Sequence, residues 1–301
     1  MKRQAEEKFI RANGIQIRYL DWSGESPPIL LLHNNRGVAD PWKRLVDVTR
    51  LSNRFIAPDQ RGCGATDKPL VGYSVWDLAR DVAGLIDAME LGPVALVGCA
   101  LGSSIGLAVA ANYPEKVSAL VMLDSGFPIA QSVIDRSVGV LTAMPHEFAS
   151  RTEAMAFVRT LPSSLGYSWS PIWEDYFDWT FKELTDGRWA FKFGKEAMLQ
   201  ATGHLADDLW LDAGRVVCPV FVGISSADDI VSAEGGRKLA QVIKNSTFKL
   251  LDDVHHLPFL EQDMYPIERL IREYLERVGF LSRDTELAPG ERQRRPLKPI
   301  D

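Results

Sequence analysis

The 301-residue sequence has few cysteines and no dominant charge of one sign. Its cysteines, Cys63, Cys99 and Cys218, are too few and too scattered for a disulfide framework or a zinc site. There are 34 lysines and arginines against 40 aspartates and glutamates, so the formal net charge is −6, and no basic patch stands out. We therefore expect neither nucleic acid nor an anionic membrane as a partner. The odd cysteine count favours a reducing compartment, which predicts a cytoplasmic protein.

A long uninterrupted hydrophobic run is also absent. The most apolar stretch, residues 91–113, is broken by glycine and proline at five positions: Gly92, Pro93, Gly98, Gly102 and Gly106. We predict that it forms a strand, a turn and a helix, and no membrane segment. The first eight residues are charged and no apolar run follows them, which is not typical of a secretory signal.

Short apolar runs alternate with helical periodicity in both halves of the chain. The run Ile29-Leu30-Leu31-Leu32 has no polar alternation, which is typical of a strand buried on both faces of a parallel sheet. Asn13-Gly14 joins two further predicted strands, 8–12 and 15–22, in a hairpin. Strands and helices then alternate to residue 123 and again over 220–278. This pattern predicts an α/β fold, with a doubly wound, mostly parallel sheet flanked by helices.

The middle of the chain, 127–213, contains no such strand. It holds five of the eight tryptophans: Trp169, Trp173, Trp179, Trp189 and Trp210. We interpret 127–213 as a helical lid (cap) inserted into a core that consists of 1–126 and 214–280. The charged segment 281–301 is predicted to be a disordered tail.

The strongest local signal is Gly98-Cys99-Ala100-Leu101-Gly102, between a predicted strand and a predicted helix. In the G-x-S-x-G nucleophile elbow, two glycines permit a tight, strained turn that lifts the central residue above the sheet edge. Both glycines are present in this sequence. The central residue is Ala100, where the motif has serine.

Four further segments resemble the α/β-hydrolase family in its serine-hydrolase (esterase/lactonase-like) branch, and the resemblance extends to about residue 279. The segment His33-Asn34-Asn35 is similar to the family's His-Gly oxyanion loop. Residues 59–69 are similar to its D-x-R-G-x-G-x-S-D-x-P segment. Residues 223–231 are similar to the segment with the catalytic acid, and 255–261 to the segment with the catalytic histidine. With the elbow, five motifs stand in the family's order.

The resemblance implies a role for each matching residue. Ala100 occupies the nucleophile position, His256 corresponds to the general base, and Asp228 to the acid that orients the imidazole. His255 stands where the family usually has glycine, so we favour His256. Asp124, at the end of the strand 117–123, is the alternative acid, because some branches of the family place it there.

The oxyanion hole requires two backbone N–H groups, which the resemblance assigns to Leu101 and Asn35. Asn34 replaces a glycine, and we expect asparagine to tolerate the unusual backbone angles there. The tryptophan-rich lid predicts a small, partly apolar or aromatic substrate. Arg36 is a possible anchor for a carboxylate or phenolate, although we favour a surface position for it. The candidate substrate-binding residues are Asn34, Arg36, Trp42, Trp169, Trp173 and Tyr176.

Ala100 leaves three interpretations open. In the one we favour, the chain is an inactivated hydrolase of a small carboxylic ester, lactone or amide, with alanine in place of serine, and carbon–carbon bond hydrolysis is also compatible with the triad. In the second, the protein is a natural, non-hydrolytic ligand-binding protein. In the third, a His–Asp pair acts without serine, as in a cofactor-free oxygenase or a lyase. We expect no metal or organic cofactor, a small-molecule substrate as partner, and a monomer or homodimer.

Overall fold

The computed structural model describes residues 3–125, 129–164, 168–226, 230–252, 254, 256 and 263–281. The strands in this part of the chain are β1 (Glu6–Ala12), β2 (Ile15–Trp22), β3 (Glu25–Leu32), β4 (Asn53–Pro58), β5 (Val94–Cys99), β6 (Val117–Leu123), β7 (Glu147–Phe148), β8 (Phe181–Glu183), β9 (Trp189–Phe191), β10 (Val220–Ser225) and β11 (Ser246–Leu251). The α-helices are α1 (Lys43–Val48), α2 (Val75–Ala88), α3 (Leu101–Asn112), α4 (Gln131–Ala143), α5 (Arg151–Val158), α6 (Leu161–Ser164), α7 (Ile172–Thr180), α8 (Lys195–Gly203), α9 (Trp210–Arg215), α10 (Ala233–Val242) and α11 (Tyr265–Arg277).

Eight strands form one sheet in the order β1-β2-β4-β3-β5-β6-β10-β11. From β4 to β11 the neighbouring strands are parallel, and β1 and β2 add an antiparallel edge. Ala12 pairs with Ile15 across the turn at Asn13 and Gly14, which both have positive φ, as a two-residue hairpin requires. The predicted hairpin and the predicted mostly parallel sheet are both confirmed.

The run at the end of β3 shows why its sequence lacks alternation. Successive side chains of a strand point to opposite faces of the sheet. Ile29 and Leu31 lie in one hydrophobic cluster, while Leu30 and Leu32 lie in a second one, and all four are fully buried. Because helices cover both faces of the sheet, both sets of side chains have to be apolar.

The chain between β6 and β10, here called the insertion, contains α4 to α9 and is not helical throughout. Strands β7, β9 and β8 form a small antiparallel sheet in that order. Strands of two or three residues are too short for an alternating pattern to show in a sequence, so the prediction of a helical lid missed them. No helix in the described ranges is long and apolar enough to cross a membrane. The predicted tail lies outside these ranges, apart from Leu281.

Candidate active site

The elbow between β5 and α3 has the backbone geometry that the motif predicts. Ala100 sits between the strand and the helix with φ 49° and ψ −116°, a conformation that costs a non-glycine residue free energy. Its N–H donates to the Leu123 carbonyl oxygen at 2.8 Å, which ties the turn to the end of β6. The turn is therefore the strained strand-to-helix turn of a nucleophile elbow, built around an alanine methyl group.

Both glycines of the elbow are required by close packing. A Cβ on Gly98 would lie 2.4 Å from the Gly102 carbonyl carbon, because α3 begins directly above β5. A Cβ on Gly102 would lie 2.2 Å from the Leu32 carbonyl oxygen at the end of β3. Any side chain at either position would push α3 away from the sheet, so the geometry depends on the absence of Cβ atoms here.

The Ser103 hydroxyl and the Cys99 thiol, on either side of the apex, both lie in the protein interior. Ser103 is fully buried, and its Oγ donates to the carbonyl oxygens of Gly98 (2.7 Å) or Leu123 (3.1 Å) and accepts from the Leu123 N–H. Cys99 is also fully buried, with its Sγ 3.8 Å from the His256 carbonyl oxygen. Ser103 thus holds the turn together, and Cys99 packs below it.

A cavity of about 210 Å³ lies between the elbow and the insertion. Ala100, Leu101 and His256 line its floor together, as the resemblance implied for the nucleophile position, one oxyanion donor and the general base. Asp228 and His255 lie outside the described residues, so the pairing of His256 with Asp228 stays a prediction.

Asp124 is the alternative acid, and it lines the same cavity. It is almost fully buried and has φ 49°. Its Oδ1 accepts from the Ser225 N–H at 2.5 Å, and its Oδ2 accepts from the Ser225 hydroxyl. These bonds join the ends of β6 and β10, so this carboxylate has a structural role beside any catalytic one.

Leu101 and Asn35 both line the cavity, as expected for the oxyanion hole. Leu101 is the first residue of α3, so its N–H belongs to the helical first turn, whose amides have no partner within the helix. The loop after β3 makes a turn in which the Gly37 N–H donates to the Asn34 carbonyl oxygen at 3.1 Å. The positive φ in this loop belongs to Arg36, at 63°, and not to Asn34. The turn thus places its left-handed residue two positions after Asn34.

His33 fixes this loop from below. Its Nε2 accepts from the Gln60 N–H at 2.9 Å, and its Nδ1 lies 2.8 Å from the Asn34 carbonyl oxygen, to which it donates. The Gln60 side-chain amide donates to the His33 carbonyl oxygen at 2.7 Å. Burial lowers the pKa of His33 below its ordinary value, so the ring is neutral. Its role is structural: it connects the oxyanion loop to the segment that follows β4.

Three of the six predicted substrate-binding residues line the cavity: Asn34, Arg36 and Tyr176. The three tryptophans are not among the described lining residues. Trp42 and Trp173 are buried in the hydrophobic cluster on one face of the sheet. Trp169 is 39% exposed, and the Arg159 guanidinium stacks on its ring at 4.5 Å. For Trp173 and Trp42 the packing role prevails because large aromatic rings fill the space under the insertion.

The sequence analysis missed two sets of residues in the insertion that line the cavity. Four of them follow one face of α4 at intervals of four, three and four: Val133, Ser137, Val140 and Met144. Phe191 and Phe193 are two positions apart at the end of β9, so both point into the cavity. The helical spacing was visible in the sequence, but nothing in it indicated that this face turns toward the elbow.

Comparison with known proteins places the chain in a family. A sequence model of the alpha/beta hydrolase fold matches residues 27–263, most of the chain, and the protein belongs to this family. A solved structure of E-2-(acetamidomethylene)succinate hydrolase superposes with a TM-score of 0.82 at 23% identity, covering 91% of this chain and 100% of that one. That likeness confirms the fold.

Two curated relatives are similar over shorter segments. A 2-(acetamidomethylene)succinate hydrolase of Mesorhizobium japonicum is 42% identical over 106 residues, 34% of this chain and 36% of the relative. A 2-hydroxy-6-oxo-6-(2'-aminophenyl)hexa-2,4-dienoic acid hydrolase of Metapseudomonas resinovorans is 33% identical over 123 residues, 40% of this chain and 42% of the relative. These matches span less than half the length of either relative. Both relatives are named as hydrolases.

Proposed function

We propose that this chain is the disabled form of a serine hydrolase that cleaves a small, partly apolar carboxylic ester, lactone or amide through an acyl-enzyme. One observation carries the proposal: Ala100 keeps a strained, positive-φ conformation at the apex of an elbow and lines the same cavity as His256. Strain of this kind persists where the surrounding structure requires it and clusters at functional sites. In the active form, residue 100 is serine.

The chemistry follows from the residues around the apex. A serine Oγ at position 100 attacks the carbonyl carbon of the substrate while the His256 imidazole takes its proton. The N–H groups of Leu101 and Asn35 donate to the oxyanion of the tetrahedral intermediate. Collapse of the intermediate breaks the bond to the leaving group, which receives the proton from His256. Water then attacks the acyl group by the same route and restores the serine.

With Ala100, binding and oxyanion stabilisation remain but no covalent bond forms. Loss of the serine in a triad costs on the order of a million-fold in turnover. The chain as it stands is therefore expected to bind substrate without cleaving it. The apolar lining from α4 and β9 supports a small substrate with apolar or aromatic parts.

The decisive experiment is Ala100→Ser, compared with Ala100→Gly, which lacks a nucleophile and relieves the backbone strain. Both variants and the parent chain are assayed with p-nitrophenyl esters of increasing acyl length and with a fluorophosphonate probe. We expect Ala100→Ser alone to be labelled and to hydrolyse esters at least about 10⁴-fold faster than the other two. Adding His256→Ala to the serine variant should abolish both signals.

Two results would contradict the proposal. If folded Ala100→Ser is neither labelled by the fluorophosphonate nor active on any p-nitrophenyl ester, the protein is better described as a ligand-binding protein of this fold. If the parent chain already turns over substrate and His256→Ala stops it, a serine-independent His–Asp reaction is the better description.

A further inference from the structure

Arg36 is the one lysine or arginine among the described residues that line the cavity. It is partly buried, and desolvation lowers the pKa of its guanidinium from the ordinary value. Among the described residues, the group that offsets this effect is a phenol, Tyr176, and not a carboxylate. A cation that is moved out of water without a counter-charge costs free energy, so such an arrangement is uncommon unless a ligand supplies the charge.

Other buried arginines of this protein have acidic partners. Arg18 forms ion pairs with Glu7, Asp40 and Asp59 at 2.7–3.2 Å. Arg61 is bound on two nitrogens by the Asp81 carboxylate, at 2.5 and 2.6 Å.

Arg272 follows the same rule, since Glu268 and Glu276 lie 3.4 and 3.5 Å from its guanidinium. Arg18, Arg61 and Arg272, the arginines that are buried among the described residues, are thus each paired with carboxylates. The partly buried Arg3 instead donates to backbone carbonyl oxygens. Arg36, in the candidate active site, has no carboxylate partner of this kind among the described residues.

Tyr176, on α7, faces Arg36 from the insertion side of the cavity. Burial raises the pKa of the phenol, and the nearby guanidinium partly opposes that rise. The hydroxyl therefore stays protonated and can donate a hydrogen bond. The Arg36 guanidinium and the Tyr176 phenol, which also has a side-chain hydrogen bond with Thr180, line the same cavity, and both can donate hydrogen bonds to a ligand.

The backbone holds Arg36 in place. Its φ of 63° is strained for a residue with a Cβ, and the turn is closed by the Asn34–Gly37 hydrogen bond. Space is tight on the far side of the turn, since a Cβ on Gly37 would lie 2.5 Å from Asn34 Oδ1 and 3.0 Å from His33 Nδ1. Arg36 directly follows Asn35, whose N–H is the proposed oxyanion donor. An anion bound by Arg36 thus lies close to the reacting carbonyl.

Among the described residues, the lining offers one carboxylate and one imidazole besides Arg36. The Asp124 carboxylate accepts from the N–H and hydroxyl of Ser225. His256 belongs to the proposed catalytic machinery. The remaining polar groups of the described lining are neutral amides and hydroxyls.

We propose that Arg36 and Tyr176 form a subsite for a carboxylate carried by the substrate, so that the protein acts on the ester, lactone or amide of an acid with a second, free carboxylate. The guanidinium donates two parallel N–H bonds to the carboxylate and the Tyr176 hydroxyl donates a third. The subsite rests on the proposed function insofar as it treats the cavity as the substrate site. It requires no turnover, so it can be tested in the chain as it stands.

The test compares a carboxylate with its neutral isostere. Phenylacetate and phenylacetamide are titrated calorimetrically into the parent chain, Arg36→Met, Tyr176→Phe and Arg159→Met. The methionine at position 36 keeps most of the volume and removes the charge. Arg159→Met is the matched control, because Arg159 is an exposed insertion arginine that stacks on Trp169 outside the cavity.

We expect the parent chain to bind phenylacetate at least about 10-fold more tightly than phenylacetamide, because hydrogen bonds to charged groups are the stronger ones. Arg36→Met should weaken the binding of phenylacetate about 10- to 100-fold and leave the affinity for phenylacetamide within about 2-fold of that of the parent chain. Tyr176→Phe should weaken phenylacetate less, by about 5-fold, and Arg159→Met should change neither ligand.

Three results would overturn the subsite. They are no binding of phenylacetate to the parent chain, equal affinities of the parent chain for the two ligands, or an equal loss of affinity for both ligands in Arg36→Met. The last result would identify Arg36 as a structural residue of the loop. These outcomes are independent of the esterase test. A serine variant that hydrolyses esters while phenylacetate and phenylacetamide bind alike disproves the subsite only, and an inactive serine variant with selective phenylacetate binding disproves the hydrolase only.

Discussion

The elbow and the oxyanion loop each hold one non-glycine residue with positive φ, and they differ in what that residue contributes. At the elbow, Ala100 has φ 49° and offers no reactive group. In the loop, Arg36 has φ 63° and carries a charge into the cavity. The elbow has both glycines of the motif and an alanine at its centre. The loop has Asn34 where the motif has glycine, and Arg36 two positions later.

Backbone geometry and chemical group are therefore determined separately in this site. Ala100 stays strained because Gly98 and Gly102 let α3 approach the sheet, whatever side chain stands at the apex. Arg36 stays strained because the turn is closed below it by the bonds of His33 and Asn34. Each conformation is imposed by neighbours, so each residue can be exchanged without loss of the local shape.

The largest expected effect comes from the contact that joins the two regions. Gly102 packs against the carbonyl oxygens of Leu32 and His33, where the oxyanion loop begins. Gly102→Ala would place a Cβ 2.2 Å from the first of these oxygens, so α3 or the loop must move. We expect a loss of about 4 kcal/mol or more in the free energy of unfolding, measured by urea denaturation followed by circular dichroism.

Gly139→Ala is the matched control for this change. Gly139 lies within α4, where an added Cβ meets no atom within 4 Å. There the substitution should stabilise the protein by about 0.5–1 kcal/mol, because alanine is the better helix former. A small effect of Gly102→Ala, similar in size to that of Gly139→Ala, would mean that the elbow does not depend on this contact.

His33 provides a pH test of the loop. Its folded-state pKa lies below the ordinary value, so only the unfolded chain takes up a proton as the pH falls through about 6.5. The stability contributed by the neutral ring is fully present above that pH and is lost below it. Between pH 7.5 and 5.5 we expect His33 to account for a loss of unfolding free energy of at most about 1.4 kcal/mol, the limit set by protonation of the unfolded chain alone.

His33→Gln isolates this contribution, because the glutamine oxygen can accept from the Gln60 N–H and does not titrate. The parent chain should lose more unfolding free energy than this variant over the same pH range, by up to about 1.4 kcal/mol, measured by urea denaturation at both pH values. Equal losses would show that the His33 ring is protonated in the folded protein and does not hold the loop as a neutral group.

The sheet and the elbow could be predicted from the sequence because local rules determine them. The apolar run Ile29-Leu30-Leu31-Leu32 requires burial on both faces, and Asn13-Gly14 suits a two-residue hairpin. Gly98 and Gly102 predict that strand and helix pack closely together, and in the structure a Cβ atom at either position would clash with the backbone. In each case the signal lies within a short segment of the sequence.

The shape of the insertion could not be predicted in the same way, because it depends on tertiary packing. Strands β7 to β9 are too short to show an alternating pattern in the sequence. Trp173 was predicted to bind the substrate, although it packs in the core. The α4 face that includes Val140 faces the cavity only because the insertion folds back over the elbow. The partner of His256 stays a prediction, since Asp228 lies outside the described residues.

Ala100→Gly separates strain from chemistry at the elbow. A residue held in a sparsely populated conformation costs about 1–3 kcal/mol, and glycine avoids that cost but loses more backbone entropy on folding. We expect a net gain of about 1 kcal/mol in unfolding free energy, measured by thermal and urea denaturation. Ala240→Gly, within the regular helix α10, should instead cost about 1 kcal/mol. If Ala100→Gly is destabilising to the same extent, the elbow is not strained.

Arg36→Gly makes the same change in the oxyanion loop and should have the smallest effect on stability. The left-handed conformation costs about 1–2 kcal/mol in a residue with a Cβ, and the added backbone entropy of glycine removes most of the gain. We expect unfolding free energy to rise by about 0.5 kcal/mol, while calorimetric phenylacetate binding falls as far as in Arg36→Met. These results would mean that Arg36 lowers the stability of the fold and that its contribution is the charge that it brings to the cavity. If Arg36→Gly destabilises the protein while phenylacetate binds as before, the arginine instead supports the turn, and both regions of the site owe their shape to packing alone.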